Sequence, residues 1–268
     1  MCAGHSSTLT PSASPTTVTL GETESTLTFV PYSQPTPTLD QVDYERQLIE
    51  QVDRDRALAD LRKLTGEDPI CGDAGCHTIA NRLTGSEGLQ WAKQYIQVEL
   101  VRLGYSAEVN DWSDSGHADQ NIIARKDGAS VPAEEVYFVA HLDGVQKGSD
   151  ERFPAADDNA GGVVDLLELA RILDGHSLNR TVVLFFSTGE EQGTFGVTSY
   201  LNHISRSELR SIKAVVDIDM IGYDANGDGV MELWHGDHPP SRLLAEEFSS
   251  TIQAFQFKLS PKLVVGCG

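Results

Sequence analysis

Four short apolar runs, rich in β-branched and aromatic residues, constrain this chain more than any other feature. They occupy residues 121–124, 136–140, 181–186 and 214–220. Each is a continuous run, as expected of strands buried on both faces. Helical spacing fills the stretches around them. Leu58, Leu61 and Leu64 recur at helical intervals and stop at Gly66. Leu89, Ala92, Ile96, Leu100 and Leu103 form one stripe over 86–103, ended by Gly104. Val163, Leu166, Leu167, Ala170 and Leu173 mark another helix, and 241–255 a further one. Strands alternating with helices predict an α/β fold: a three-layer αβα sandwich around a mostly parallel mixed sheet.

Charge narrows the function classes. Against 40 Asp and Glu stand 20 Lys and Arg, a net charge of −20. Such a balance argues against sequence-independent nucleic-acid binding, which needs cations to meet phosphates. It equally disfavours docking on anionic membranes. No apolar run approaches the ~20 residues that a transmembrane helix needs.

Residues 1–40 differ from the rest: Ser, Thr and Pro make up about half of them and charge is nearly absent. That composition predicts a disordered tether, with the folded domain over 41–268. The start lacks the basic residues and apolar stretch of a secretory signal peptide. Cys2, ahead of small residues and the tether, resembles the lipid-anchored start of a bacterial lipoprotein, with an incidental cysteine as the alternative. Cys71 and Cys76 bracket the short loop CGDAGC. They read as a small structural disulfide, which implies an oxidising compartment, rather than as a redox or metal pair.

Four polar clusters fall where strands end, the place where reactive groups collect in such folds. In Ala140-His141-Leu142-Asp143, residues i and i+2 share a face of extended chain. Asp143 can then accept a hydrogen bond from one ring nitrogen of His141 and leave the other for a metal. Ala156-Asp157-Asp158-Asn159-Ala160-Gly161-Gly162 sets two acids before a helix, with N-capping as the plainer reading. Ser187-Thr188-Gly189-Glu190-Glu191-Gln192-Gly193 follows the third run; at a buried strand end one glutamate can bind metal while its neighbour acts as a base. Asp217-Ile218-Asp219-Met220 puts acids within an apolar strand, which is costly unless they are paired or metal-bound. Together the clusters supply an imidazole and several carboxylates, the donor set for two zinc ions bridged by a carboxylate.

In this order the motifs HLD, ADDNAGG, GEEQG and DIDMIGY resemble the co-catalytic zinc aminopeptidase family of the bacterial leucyl aminopeptidase type. Its relatives include glutamate carboxypeptidase II, the transferrin receptor and glutaminyl cyclase. The upstream stretch Asn81-Arg82-Leu83-Thr84-Gly85-Ser86-Glu87-Gly88 also looks like that family's approach to its first helix. The resemblance implies a zinc exopeptidase fold, with His141 and Asp219 on one zinc, Glu191 on the other and Asp158 bridging both. It further implies Glu190 as general base and Asp143 as the partner that orients His141. The family's last zinc-binding His, in an SDH-like motif, has no counterpart before Gly268, so the resemblance implies a domain lacking its C-terminal end. His235 and His238 lie in the wrong context to replace it.

Asp224, Asn226 and Asp228 alternate along Asp224-Ala225-Asn226-Gly227-Asp228-Gly229, as at the start of a calcium loop. His235 stands where the closing glutamate belongs, and a hairpin turn is the alternative. The expectation is an extracellular or cell-surface dinuclear zinc aminopeptidase acting on peptides. A glutaminyl cyclase-like acyltransferase and a noncatalytic peptidase-like binding domain are the alternatives.

Overall fold

The structure, a computed structural model, describes residues 39–72, 75–145 and 152–266. The tether and Cys2 lie outside them, save for the two residues that open the first helix. In chain order the elements are α1 (Leu39–Ile49), α2 (Arg54–Leu64), β1 (Ile70–Gly72), β2 (Gly75–His77), α3 (Glu87–Arg102), β3 (Ala107–Asp114), β4 (His117–Lys126) and β5 (Val131–His141). A π-helical turn over Ala156–Ala160 leads into α4 (Gly161–Asp174), followed by β6 (Arg180–Ser187), α5 (Phe195–His203), α6 (Arg206–Ser211) and β7 (Ile212–Asp217). Last come β8 (Val230–His235), α7 (Pro239–Ala254) and β9 (Ser260–Val265).

The central sheet runs β3-β4-β6-β5-β7. β6, β5 and β7 are mutually parallel; the hairpin β3–β4 adds its strands antiparallel to the β6 side. Helices cover both faces, so the three-layer α/β architecture is the one expected. Residue alternation along β6 shows why its run is continuous. Leu184 and Phe186 enter the core with α2, α3 and α4. Val183 and Phe185 enter a second core, against Val197 and Tyr200 of α5. All four are at most 2% exposed. Burying each phenylalanine is worth about 2–3 kcal/mol.

Local signals set the helix ends. Ser86 accepts the amide of Leu89 as N-cap of α3, and Gly104 past its end takes φ 80°. Gly66, with φ 70°, does the same after α2, where an added Cβ would also strike the carbonyl of Ile79. The fourth apolar run departs from expectation. β7 stops at Asp217, so Ile218 and Asp219 lie in the turn beyond it. The 224–229 segment is also not a hairpin turn, because β8 pairs in parallel with β9 across α7.

One end of the sheet gathers the site. His141 pairs in register with Ser187, and Val139 with Asp217. The amide of Ile218 still bonds Val139 O, at 2.9 Å. The three parallel strands therefore release their C-terminal loops together, and these loops carry the polar clusters.

Candidate metal centre

His141 ends β5 and is 4% exposed. Its Nε2 lies 3.1 Å from Asp158 Oδ1 and 3.5 Å from Asp219 Oδ1. Among the described residues, His141, Asp158 and Asp219 are the one group of three His, Cys, Asp or Glu whose donor atoms come within 4.8 Å of one another. Nε2 itself is buried with no hydrogen-bond partner, and so is Glu191 Oε1. Burying such atoms unsatisfied costs ~1–3 kcal/mol each. An imidazole nitrogen facing two carboxylates is a donor set that zinc takes, so His141, Asp158 and Asp219 fit that metal; Glu191 lies outside that group. The third orphan, His77 Nε2, belongs to the β1–β2 hairpin, where its ring stacks on Trp91 at 3.5 Å. That hairpin is closed by the Cys71–Cys76 disulfide, as expected.

The other ring nitrogen of His141 differs from the sequence expectation. Nδ1 bonds the main-chain oxygen of Asp143, at 3.1 Å, and the Asp143 carboxylate stands off at 3.8 Å. That fully buried carboxylate bonds the glutamate loop instead. One of its oxygens accepts the amide of Glu190 and the other the amide of Glu191, both at 3.2 Å. An HLD tripeptide that turns out of its strand brings its main-chain carbonyl back to the ring. The acid is then free to grip the neighbouring loop. Asp143 thus holds both glutamates in place.

Asp157 and Asp158 part company in the turn before α4. Asp157 Oδ1 accepts the amide of Gly222, at 2.7 Å, and so ties this turn to the one after Asp219. Asp158 faces His141 instead, the register expected for the ligand. Asn159, fully buried, donates to Ile218 O at 2.7 Å and accepts the amide of Gly162 at 3.0 Å. A Cβ at Gly162 would strike both Ile218 O and the Asn159 side chain. The second glycine of ADDNAGG therefore allows the helix to approach the Asp219 turn. Asn159 was visible in the motif as a small polar residue, but its partner was not.

The GEEQG loop hangs on two residues with no sequence signal. Asn121, fully buried, accepts the amide of Thr188 and donates to Gly196 O, both at 3.0 Å. Trp112 Nε1 donates to Thr188 Oγ1 at 2.7 Å. Trp112 sits on β3, a polar edge strand that no apolar run announces.

Electrostatics at the cluster are those of crowded acids around one imidazole. Burial disfavours a charged His141, but the carboxylates of Asp143 and Asp219 outweigh it and raise its pKa to about 10. Glu190 and Glu191 are both pushed up, by burial first and then by neighbouring carboxylates.

The remaining candidates are not drawn in. His235 Nδ1 bonds Gly236 O at 2.9 Å, and His238 is the residue preceding α7; neither joins the three-residue group. Nothing supports calcium at 224–229. Asp224 accepts the amides of Asp228 and Gly229, Asn226 donates to Asp228, and Asp228 accepts that of Val230. These oxygens are spent on their own loop.

Known proteins resemble the chain in both fold and sequence. A probable leucine aminopeptidase 2 of Aspergillus oryzae is 29% identical over 143 residues, which cover 52% of this chain and 27% of that protein. The chain thus spans about a quarter of that relative's length. The zinc aminopeptidase BSAP of Bacillus subtilis superposes with a TM-score of 0.63 at 15% identity, covering 80% of each chain. A glutaminyl cyclase of Macrostomum lignano gives 0.65 at 18% identity, covering 90% of this chain and 78% of that one. These two likenesses show the fold. Residues 121–263 match peptidase family M28. That span is just over half of the chain and takes in His141, Asp143, Asp158, both glutamates and Asp219, so the chain belongs to peptidase family M28.

Proposed function

We propose that this chain is a zinc-dependent exopeptidase, an aminopeptidase that hydrolyses peptide bonds next to a free amino terminus. The observation that supports this reading is the convergence of His141 Nε2 with the Asp158 and Asp219 carboxylates, together with a buried Glu191 Oε1 that makes no hydrogen bond, in a member of peptidase family M28. His141, Asp158 and Asp219 would hold one zinc, and Glu191 with Asp158 would hold a second. Zinc bound there polarises a carbonyl oxygen and makes water more acidic. Glu190 is the general base: its carboxylate takes the proton of the attacking water and returns it to the leaving amine. Burial holds that carboxyl above the ordinary range, the direction that suits a group which must both accept and release a proton. Asp143 aims it by gripping its amide. The acidic surroundings favour the cationic amino terminus of a peptide. The Cys71–Cys76 disulfide supports an extracellular or cell-surface setting.

Replacing Glu190 with Gln keeps size and removes the base. The expected result is a loss of leucine p-nitroanilide hydrolysis on the order of 10³-fold, with zinc content unchanged. Parallel loss of zinc would mean that Glu190 and Glu191 exchange roles. Cyclisation of amino-terminal glutamine without hydrolysis would instead identify an acyltransferase. Zinc binding with neither reaction would identify a binding domain.

A further inference from the structure

The segment between β2 and α3 carries no His, Cys, Asp or Glu, yet it bonds the loop after His141, the residues just ahead of the Asp158 turn and the GEEQG loop. Arg82 is its centre. It is 1% exposed, and its guanidinium donates four hydrogen bonds, all to main-chain carbonyls. Nε reaches Leu142 O, between His141 and Asp143, at 2.8 Å. Nη1 reaches Pro154 O at 2.8 Å and Leu64 O, at the end of α2, at 2.7 Å. Nη2 reaches Ala155 O at 2.8 Å, and Ala155 opens the turn of Asp158 with a positive φ of 47°. Main chain reinforces the clamp. Gly144 donates its amide to Arg82 O at 3.0 Å, and Phe153 to Ala80 O at 2.9 Å. Two residues on, Thr84 donates its hydroxyl to the side chain of Gln192, the neighbour of Glu191.

We propose that Arg82 is the positioning residue of the metal centre: its guanidinium locks the loop of His141 to the turn of Asp158 at the separation that one metal needs. This rests on the metal reading of the site given above. Only a planar fork with five donors can meet four carbonyls pointing in from three segments; an ammonium has three donors and no fork. The choice of a cation has a second effect. Burial draws the guanidinium down to about 10 while the carboxylates of Asp143 and Asp158 oppose it, so a full positive charge stays beside the acids at neutral pH. It offsets their mutual repulsion from outside the donor group, with four of its five N–H donors committed to main-chain carbonyls.

A role confined to stability and a role in positioning predict different measurements. Zinc titrated calorimetrically into the metal-free full chain, and into Arg82→Lys and Arg82→Met, separates them, with far-UV circular dichroism confirming that each variant is folded. Groups that orient metal ligands typically change affinity 10–100-fold. The expected order is therefore unsubstituted chain, then Arg82→Lys weaker by roughly 10-fold, then Arg82→Met by roughly 100-fold. A folded Arg82→Met that binds zinc as tightly as the unsubstituted chain would overturn the proposal and leave the metal reading intact. No zinc binding by the unsubstituted chain would overturn the metal reading, and the proposal with it. If neither variant folds, hydrogen exchange of the unsubstituted chain decides. Zinc should slow exchange at the amides of Gly144 and Phe153, which bond the Arg82 segment and no ligand. Slowing at residues 141–143 with neither of these amides affected would refute the lock.

Discussion

The two sides of the metal centre are built differently. On one side His141, Asp143 and Asn159 are buried at strand and turn ends, with nearly every polar atom committed to a neighbour. On the other, Asp219 is 44% exposed in its side chain, past the end of an edge strand whose Val215 is 53% exposed. The turn that carries Asp219 is held from the first side, by Asn159 on Ile218 O and by Asp157 on the amide of Gly222. The rigid half thus imposes its geometry on the looser one. A site of this kind can admit a metal through the open half and still present the imidazole in one orientation, because only the closed half must be preorganised.

The largest test of this contrast lies in the sheet beneath. Phe186, fully buried under the HLD and GEEQG loops, should cost about 3–5 kcal/mol when changed to Ala. Val215 to Ala, at the exposed edge, should cost within about 0.5 kcal/mol. Denaturant unfolding of the metal-free chain measures both; equal costs would erase the distinction between the halves. Next comes the pair of neighbouring acids. Asp158→Ala removes one of the three grouped donors and should weaken zinc binding at least ~100-fold, whereas Asp157→Ala loses one hydrogen bond to the Gly222 amide, worth about 1.5–3 kcal/mol of turn stability. Metal analysis after dialysis separates the two, and reversed effects would shift the ligand register by one residue.

The smallest effect, taken per pH unit, is one of pH. In the metal-free chain His141 has its pKa raised to about 10, so zinc must displace a proton below that value. Apparent zinc affinity should rise about tenfold per pH unit from 7 towards 10. The raised pKa also means that the imidazolium stabilises the metal-free fold fully below its ordinary value of 6.5, and that this stability is lost as pH climbs through about 10. Thermal melts with and without zinc should therefore diverge as pH increases. Curves that stay parallel would show that His141 is not the titrating ligand.

Some of this protein could be read from the order of its residues. The β6 run, the caps of α3 and the stop at Gly66 are local, decided by neighbours within a turn or a strand. That His141, Asp158 and Asp219 belong together was also legible, since their motifs occur in a known order. Tertiary structure alone decided how they are held. β3 is mostly polar and carries no apolar run, so its pairing with β4 makes it a strand and brings Trp112 to Thr188. The apolar run at 214–220 gives no sign that β7 ends at Asp217 and frees Asp219. Asp143 lies two residues from His141, but its carboxylate bonds amides 47 and 48 residues away. Arg82 stands in the stretch that resembles the family's approach to its first helix, but nothing in that stretch shows that four carbonyls from three distant segments close around it. Propensity, capping and periodicity act over a few residues and are written in the chain; satisfying a buried donor depends on whichever carbonyl the folded chain brings within ~3 Å.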